Sequence, residues 1–365
     1  MKKNILVIDD SALMRRVISD IIKSDDRYQV SGLAANGLEG FDLLTRKSFD
    51  VAILDINMPK MNGLELLEKL RKHNVKTKII VVSTVAKEGA VETIRALELG
   101  AFDFVTKPDS FYETKTDSFR IHVIDAIACA IEASEGFAQT PQREAGTAAK
   151  RSVVQPKLRN RIADRVRPIT KSSGNKLVAL ACSTGGPKAL QSIIPYLPEN
   201  LNAPILIVQH MPEGFTRSLA NRLNEMSKIS VKEAEDGDII EKGNVYIAKG
   251  GHQMSVVRKD SRYKLSITKD EPRNGLRPCA DIMYESLVNS DYHEIICVVL
   301  TGMGSDGTKG ITQLNNSNSI YVVGQNAETS TVYGMPKVIA DAGLVDEVRP
   351  LNEIANSIIN HVGVQ

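Results

Sequence analysis

The sequence has no paired cysteine spacing, no long apolar run and almost no net charge, and each absence narrows what its 365 residues can do. Cys129, Cys182, Cys279 and Cys297 are scattered without a CxxC pair, so neither a disulfide framework nor a zinc site is indicated. A formal charge of +2 is too small for nucleic acid to be the main partner, because neutralising phosphates takes a concentrated basic surface. No apolar stretch nears the roughly 20 residues of a membrane span. The first such run, Ile5 to Ile8, stops at Asp9 and Asp10 and does not read as a signal peptide. A cytoplasmic chain is expected.

What is present is an ordinary folding composition, 42% hydrophobic and 25% charged. The length suits two domains of roughly 100 to 200 residues each. In residues 1–133, apolar runs at Asn4–Ile8, Val51–Leu54, Lys78–Val82 and Phe102–Thr106 alternate with amphipathic stretches. That rhythm predicts an α/β unit, a parallel sheet covered by helices. Asn62 caps a helix bearing Leu64, Leu67 and Leu70, and a last helix over about Phe119 to Ala133 carries Ile124, Ile127, Ala128 and Ile131. Residues 134–175, rich in Ala, Ser, Thr, Gln and Pro, read as a linker. Its stretch from Lys150 to Lys171 is basic, and a short helix near Leu158 to Val166 fits the pattern. The α/β rhythm resumes over residues 176–365, with buried strands at Leu177–Ala181, Ile205–Val208 and Ile295–Leu300. Weaker signals at Val245–Ala248, Met254–Arg258 and Lys264–Thr268 suggest a hairpin-like insertion.

Residues beyond the carboxyl ends of parallel strands converge on one crevice, so strand ends nominate the sites. In the first domain Asp9, Asp10 and Asp55 meet there, and clustered carboxylates call for a hard cation such as Mg²⁺. Ser83, Thr84 and Lys107 close neighbouring strands. A hydroxyl and an ammonium so placed could contact a phosphoryl group on a carboxylate. Through Asp9-Asp10, Asp55-Ile-Asn-Met-Pro-Lys-Met-Asn-Gly63, Ser83 and Lys107-Pro108, residues 3–133 resemble the response-regulator receiver family. The resemblance implies a five-stranded, doubly wound, flavodoxin-like fold with Asp55 as phospho-acceptor. It also implies Asp9, Asp10, Asp55 and the backbone carbonyl of Asn57 as Mg²⁺ ligands, and Lys107 as the phosphate's partner. Ser83 is the first choice for the switch hydroxyl and Thr84 the second.

In the second domain Ser183 follows a strand, in Ser-Thr-Gly-Gly-Pro, where an exposed nucleophile could sit. The turn lacks the GxSxG pattern of ordinary α/β-hydrolases, and a Gly-rich turn can equally cradle phosphate. Against a phosphate loop, there is no Gly-Lys-Ser/Thr segment. His210 in Gln-His-Met-Pro follows the next strong strand, and Asp306 lies in Thr-Gly-Met-Gly-Ser-Asp-Gly after the third. Ser, His and Asp at three strand ends fit triad logic. Cys182 adjoins the nucleophile, with packing and a thiol role both open.

Residues 176–362 resemble the catalytic domain of chemotaxis protein-glutamate methylesterases. The resemblance is carried by Ser183–Pro187, Gln209–Pro212, Gly243–Ala248 with Gly250-Gly-His252, Thr301–Gly307 and Tyr333-Gly-Met-Pro336. It implies a doubly wound, mostly parallel, Rossmann-like domain in which Ser183, His210 and Asp306 catalyse, with Thr184 and Met303 supporting the oxyanion. Methyl esters on glutamates of methyl-accepting chemoreceptors are the implied substrate, and deamidation of receptor glutamines the second activity. A chemotaxis histidine kinase would supply the phosphoryl group, no organic cofactor is expected in the catalytic domain, and the membrane would be met only through receptors. The competing reading is a receiver driving a binding module without enzymatic activity.

Overall fold

The computed structural model describes residues 1–84, 86–108, 117–135 and 174–365. Most of the expected linker, with its basic stretch and short helix, lies outside them. The first half runs β1 (Lys3–Ile8), α1 (Ala12–Lys23), β2 (Tyr28–Ala34), α2 (Gly37–Arg46), β3 (Val51–Asp55), α3 (Gly63–Lys72), β4 (Lys78–Ser83), α4 (Lys87–Leu99), β5 (Asp103–Thr106) and α5 (Asp117–Glu135). Its five strands pair in the order β2-β1-β3-β4-β5, all parallel, which is the flavodoxin-like order. The inner strands are apolar because both faces are covered; β3 is buried at every residue. At α3, the Asn62 side chain accepts from the Glu65 N–H while the Glu65 carboxylate accepts from the Asn62 N–H, a complete capping box.

The second half runs β6 (Lys176–Cys182), α6 (Gly186–Gln191), β7 (Ile205–Gln209), α7 (Phe215–Met226), β8 (Ser230–Glu233), β9 (Asn244–Ile247), β10 (Gln253–Lys259) and β11 (Arg262–Thr268). It continues with α8 (Ala280–Glu285), β12 (Glu294–Val299), α9 (Thr308–Asn315), β13 (Ile320–Gln325), α10 (Met335–Asp341), β14 (Glu347–Arg349) and α11 (Leu351–Val362). Seven strands form a parallel sheet in the order β14-β13-β12-β6-β7-β9-β8. Only β10 and β11 make the expected antiparallel hairpin. The expectation for Val245–Ala248 needs correction: it is not part of the insertion, because its apolar residues form β9, paired with β7 and β8 inside the main sheet.

The sheet order explains the site. From β6 the chain steps one way to β7, and from β12 it steps the other way to β13, so a topological switch point opens beside β6. The strands ahead of Ser183, His210 and Asp306 are therefore immediate neighbours, β12-β6-β7. The two halves also pack together. Phe104 and Phe215 rings lie 4.6 Å apart, and Arg222 on α7 pairs with Glu98 on α4 at 2.7 Å.

Candidate active site and phospho-acceptor site

Ser183 directly follows the seven buried residues of β6 and stands at the turn into α6, as its motif predicts. Its backbone N–H donates to the Thr301 carbonyl, which ties this turn to the loop after β12. Gly302 is glycine for a steric reason: a Cβ there would lie 2.7 Å from the Ser183 Cβ and 2.5 Å from the Met335 Sδ. Met335 belongs to the Tyr-Gly-Met-Pro motif, and Tyr333 bridges to Gly302 in parallel register.

His210, one residue beyond β7, bonds through Nε2 to the Asp306 carboxylate at 2.7 Å. That leaves Nδ1 free for the serine, although no hydrogen bond joins Ser183 to the imidazole among the described residues. Asp306 is buried and also accepts from the backbone N–H groups of Ala280, Asp281 and Gly307 and from the Cys279 thiol. Burial pushes its carboxyl up, but the His210 bond and charge and the backbone donors outweigh that and hold it at about 2. Ser183, Thr184, His210, Met303 and Asp306 line one cavity of about 1140 Å³. Met303 is 46% exposed there.

The loop Gly302–Gly307 also spells GxGxxG between a strand and a helix, the spacing of a dinucleotide fingerprint. Here its Gly307 N–H is taken by the Asp281 and Asp306 carboxylates, which favours the acid-orienting role. Asp281, Gln209 and Asp103 carry parts of the site that sequence reasoning did not find. Asp281 accepts from Gly307 and Gly310 and so shapes the Asp306 loop. Asp103, at the start of β5, accepts a 2.7 Å bond from the Thr184 hydroxyl. Neither has a local motif; only the fold brings them there. The Cys182 thiol is fully buried and burial raises its pKa, so it packs and is not a nucleophile.

At the other sheet, Asp9, Asp10 and Asp55 each offer a carboxylate oxygen within 4.8 Å of the others. Lys107 reaches Asp55 at 2.8 Å and Asp9 at 3.2 Å. Burial raises the Asp55 pKa against the pull of Lys107. Lys107 itself is held charged, the carboxylates overcoming its desolvation. Asp9 Oδ2 is buried and accepts no well-aligned hydrogen bond, so this donor set fits a hard divalent cation. The Asn57 side-chain amide donates to the Glu92 carboxylate. Ser83 is buried and donates to the Gly89 carbonyl on α4 rather than to Asp55, while Thr84 is exposed.

A model described as CheB methylesterase matches residues 178–358, and one described as response regulator receiver domain matches residues 5–115. The solved Thermotoga maritima CheB methylesterase catalytic domain is 41% identical, with a TM-score of 0.49, covering 51% of this chain and 97% of that one. The protein-glutamate methylesterase/protein-glutamine glutaminase of Halalkalibacterium halodurans is 42% identical over 355 residues, 97% of each chain. That of Bacillus subtilis is 38% identical over 359 residues, 98% of each chain. Identity to these two relatives over nearly the full length shows that the chain belongs to the protein-glutamate methylesterase/protein-glutamine glutaminase family.

Proposed function

We propose that this chain is a phosphorylation-controlled serine hydrolase that demethylates glutamyl methyl esters on chemoreceptors and deamidates receptor glutamines. The carrying observation is the 2.7 Å His210–Asp306 bond in the same cavity as Ser183. The reading divides the chain into a receiver (1–133), a linker (134–175) and a catalytic domain (176–365), and places the protein in the cytoplasm. Among the described residues no helix is long and apolar enough to cross a membrane, so the receptor would bring the substrate to it.

In the proposed reaction His210 takes the Ser183 proton as the hydroxyl attacks the glutamyl carbonyl, and Asp306 supports the imidazolium. The N–H groups of Met303 and Thr184 are the proposed donors to the oxyanion. Protonated His210 then donates to the leaving methoxide, or to the amide nitrogen of a glutamine, which departs as ammonia. Water activated by the same histidine releases the glutamate.

Asp55 would accept the phosphoryl group from a chemotaxis histidine kinase. Asp9, Asp10, Asp55 and the Asn57 carbonyl would hold Mg²⁺, which when bound neutralises phosphoryl oxygens. Lys107 would pair with the new phosphate. Because Lys107, Asp103 and Phe104 line the same cavity as Ser183, the receiver would hinder the approach of a receptor helix to that serine. Rearrangement around phospho-Asp55 would relieve that hindrance.

Methanol release from methylated receptor membranes, by wild type and Ser183→Ala with and without a small phosphodonor and Mg²⁺, tests this. Release abolished by Ser183→Ala and raised by the phosphodonor is expected. Equal release from both proteins would remove Ser183 from the chemistry.

A further inference from the structure

We infer that Gln209 is a positioning residue for this hydrolysis, its carboxamide fixing the backbone planes beside both the nucleophile and the base. The inference rests on the assignment of Ser183 and His210 above. Gln209 ends β7 with only 2% of its surface exposed. Its Nε2 donates to the Ser183 carbonyl at 3.1 Å and to the His210 carbonyl at 3.0 Å. Its Oε1 accepts the Cys182 thiol at 3.0 Å. These partners fix the amide's orientation, since two carbonyl oxygens need the NH₂ end and the thiol proton needs the oxygen. Among the described residues no other side chain bonds both carbonyls.

The consequence for chemistry follows from the planar trans peptide, in which N–H and C=O point opposite ways. The Ser183 carbonyl accepts from Gln209 and from the Gly186 N–H at 2.7 Å, so its plane is held from two sides. That plane also contains the Thr184 N–H, which is thereby aimed away from Gln209. Holding the His210 carbonyl in the same amide sets the neighbouring plane as well, and couples the loop of the base to the loop of the nucleophile. Gln209 would therefore act through the Thr184 N–H and the His210 backbone without touching substrate. This accounts for the second glycine of Ser-Thr-Gly-Gly-Pro. A Cβ on Gly186 would lie 1.9 Å from the Gln209 Oε1 and 3.0 Å from the Cys182 Sγ, because the carboxamide occupies that space.

The test compares kcat and KM for methanol release by phosphorylated full-length protein, per folded molecule as judged by circular dichroism. Wild type, Gln209→Ala, Gly186→Ala, the double variant and Ser183→Ala are measured together. Gln209→Ala is expected to lose at least about tenfold in kcat with KM within about twofold, the signature of a group acting only in the transition state. Gly186→Ala, which displaces the amide without removing it, should lose kcat in the same way. In the double variant Gly186→Ala should add little, since there is no carboxamide left to displace. A purely structural role would lower the folded fraction and leave kcat per folded molecule intact, and that result overturns the inference. So do losses that multiply in the double variant. Should Gln209→Ala fail to fold, Gln209→Met, which keeps the bulk without the amide, carries the same expectation. An inactive Ser183→Ala beside a fully active Gln209 variant defeats this inference alone, whereas an active Ser183→Ala defeats the nucleophile assignment itself.

Discussion

Asp306 sits under a net of donors from the start of α8 and from its own loop, and that net decides how it responds to acid. Its carboxyl is held at about 2 against an ordinary value of 3.8, so folding favours the charged form. A depressed carboxyl contributes stability above its unfolded pKa and loses it as pH falls through the folded one. For a shift of this size the contribution is roughly 2 kcal/mol. Asp306→Asn should therefore unfold in less urea than wild type at pH 6, and the gap should narrow as pH drops from about 4 toward 2. With no tryptophan in the chain, circular dichroism is the probe. A gap independent of pH would mean that Asn is disruptive for packing reasons and that the charge contributes little. The same variant should lose most esterase activity at pH 7, because the imidazolium formed during attack would have no carboxylate beside it.

At the scale of elements, α3 begins so close to β3 that its first residue must be glycine. A Cβ on Gly63 would lie 2.5 Å from the Asp55 carbonyl oxygen and 2.8 Å from the Ile56 Cα, both backbone atoms that cannot swing aside. Gly63→Ala should cost about 1 to 3 kcal/mol by overpacking. It should also slow Asp55 phosphorylation by a small phosphodonor, which a labelled phosphodonor or mass spectrometry would record. Unchanged stability and labelling would show that α3 shifts freely. The same proximity marks what the sequence makes legible. Inner strands such as β3, β6 and β12 announce themselves as apolar runs, and chemistry-bearing residues follow them. The edge strand β2 hides because its few buried positions switch faces at a bulge: Tyr28 and Val30 pack on the side of Ile5 and Val7, whereas Gly32 and Ala34 face the side of Leu6 and Ile8, so no apolar run forms. Edge strands β8 and β14 are short and polar, so they offer no apolar run either. Ser183, His210 and Asp306 could be nominated because each stands beside its strand. Asp103, Asp281 and the amide of Gln209 could not, since their partners lie 81, 26 and 26 residues away along the chain.

Across the whole molecule, the two sites share a wall. Lys107 bonds Asp55, the proposed phospho-acceptor, and also lines the cavity of Ser183, so a charge added at Asp55 would act on a residue already facing that cavity. The junction is held by Asp103 to Thr184, by the Phe104–Phe215 contact and by Glu98, which takes bonds from both Arg222 and Gln191. A closed state of this kind need only outweigh the open one by a few kcal/mol for phosphorylation to shift the balance. The Glu98–Arg222 pair is partly exposed and is worth roughly 0.5 to 1 kcal/mol, which corresponds to a few-fold change in the closed-to-open ratio. Glu98→Arg or Arg222→Glu alone places like charges across the junction and should raise methanol release by unphosphorylated protein several-fold, with little effect once Asp55 is phosphorylated. Combining the two reversals restores an opposite-charge pair and should return the basal rate toward wild type. If the double reversal is as active as either single variant, the ion pair does not hold the closed state, and the Phe104–Phe215 and Asp103–Thr184 contacts must carry it.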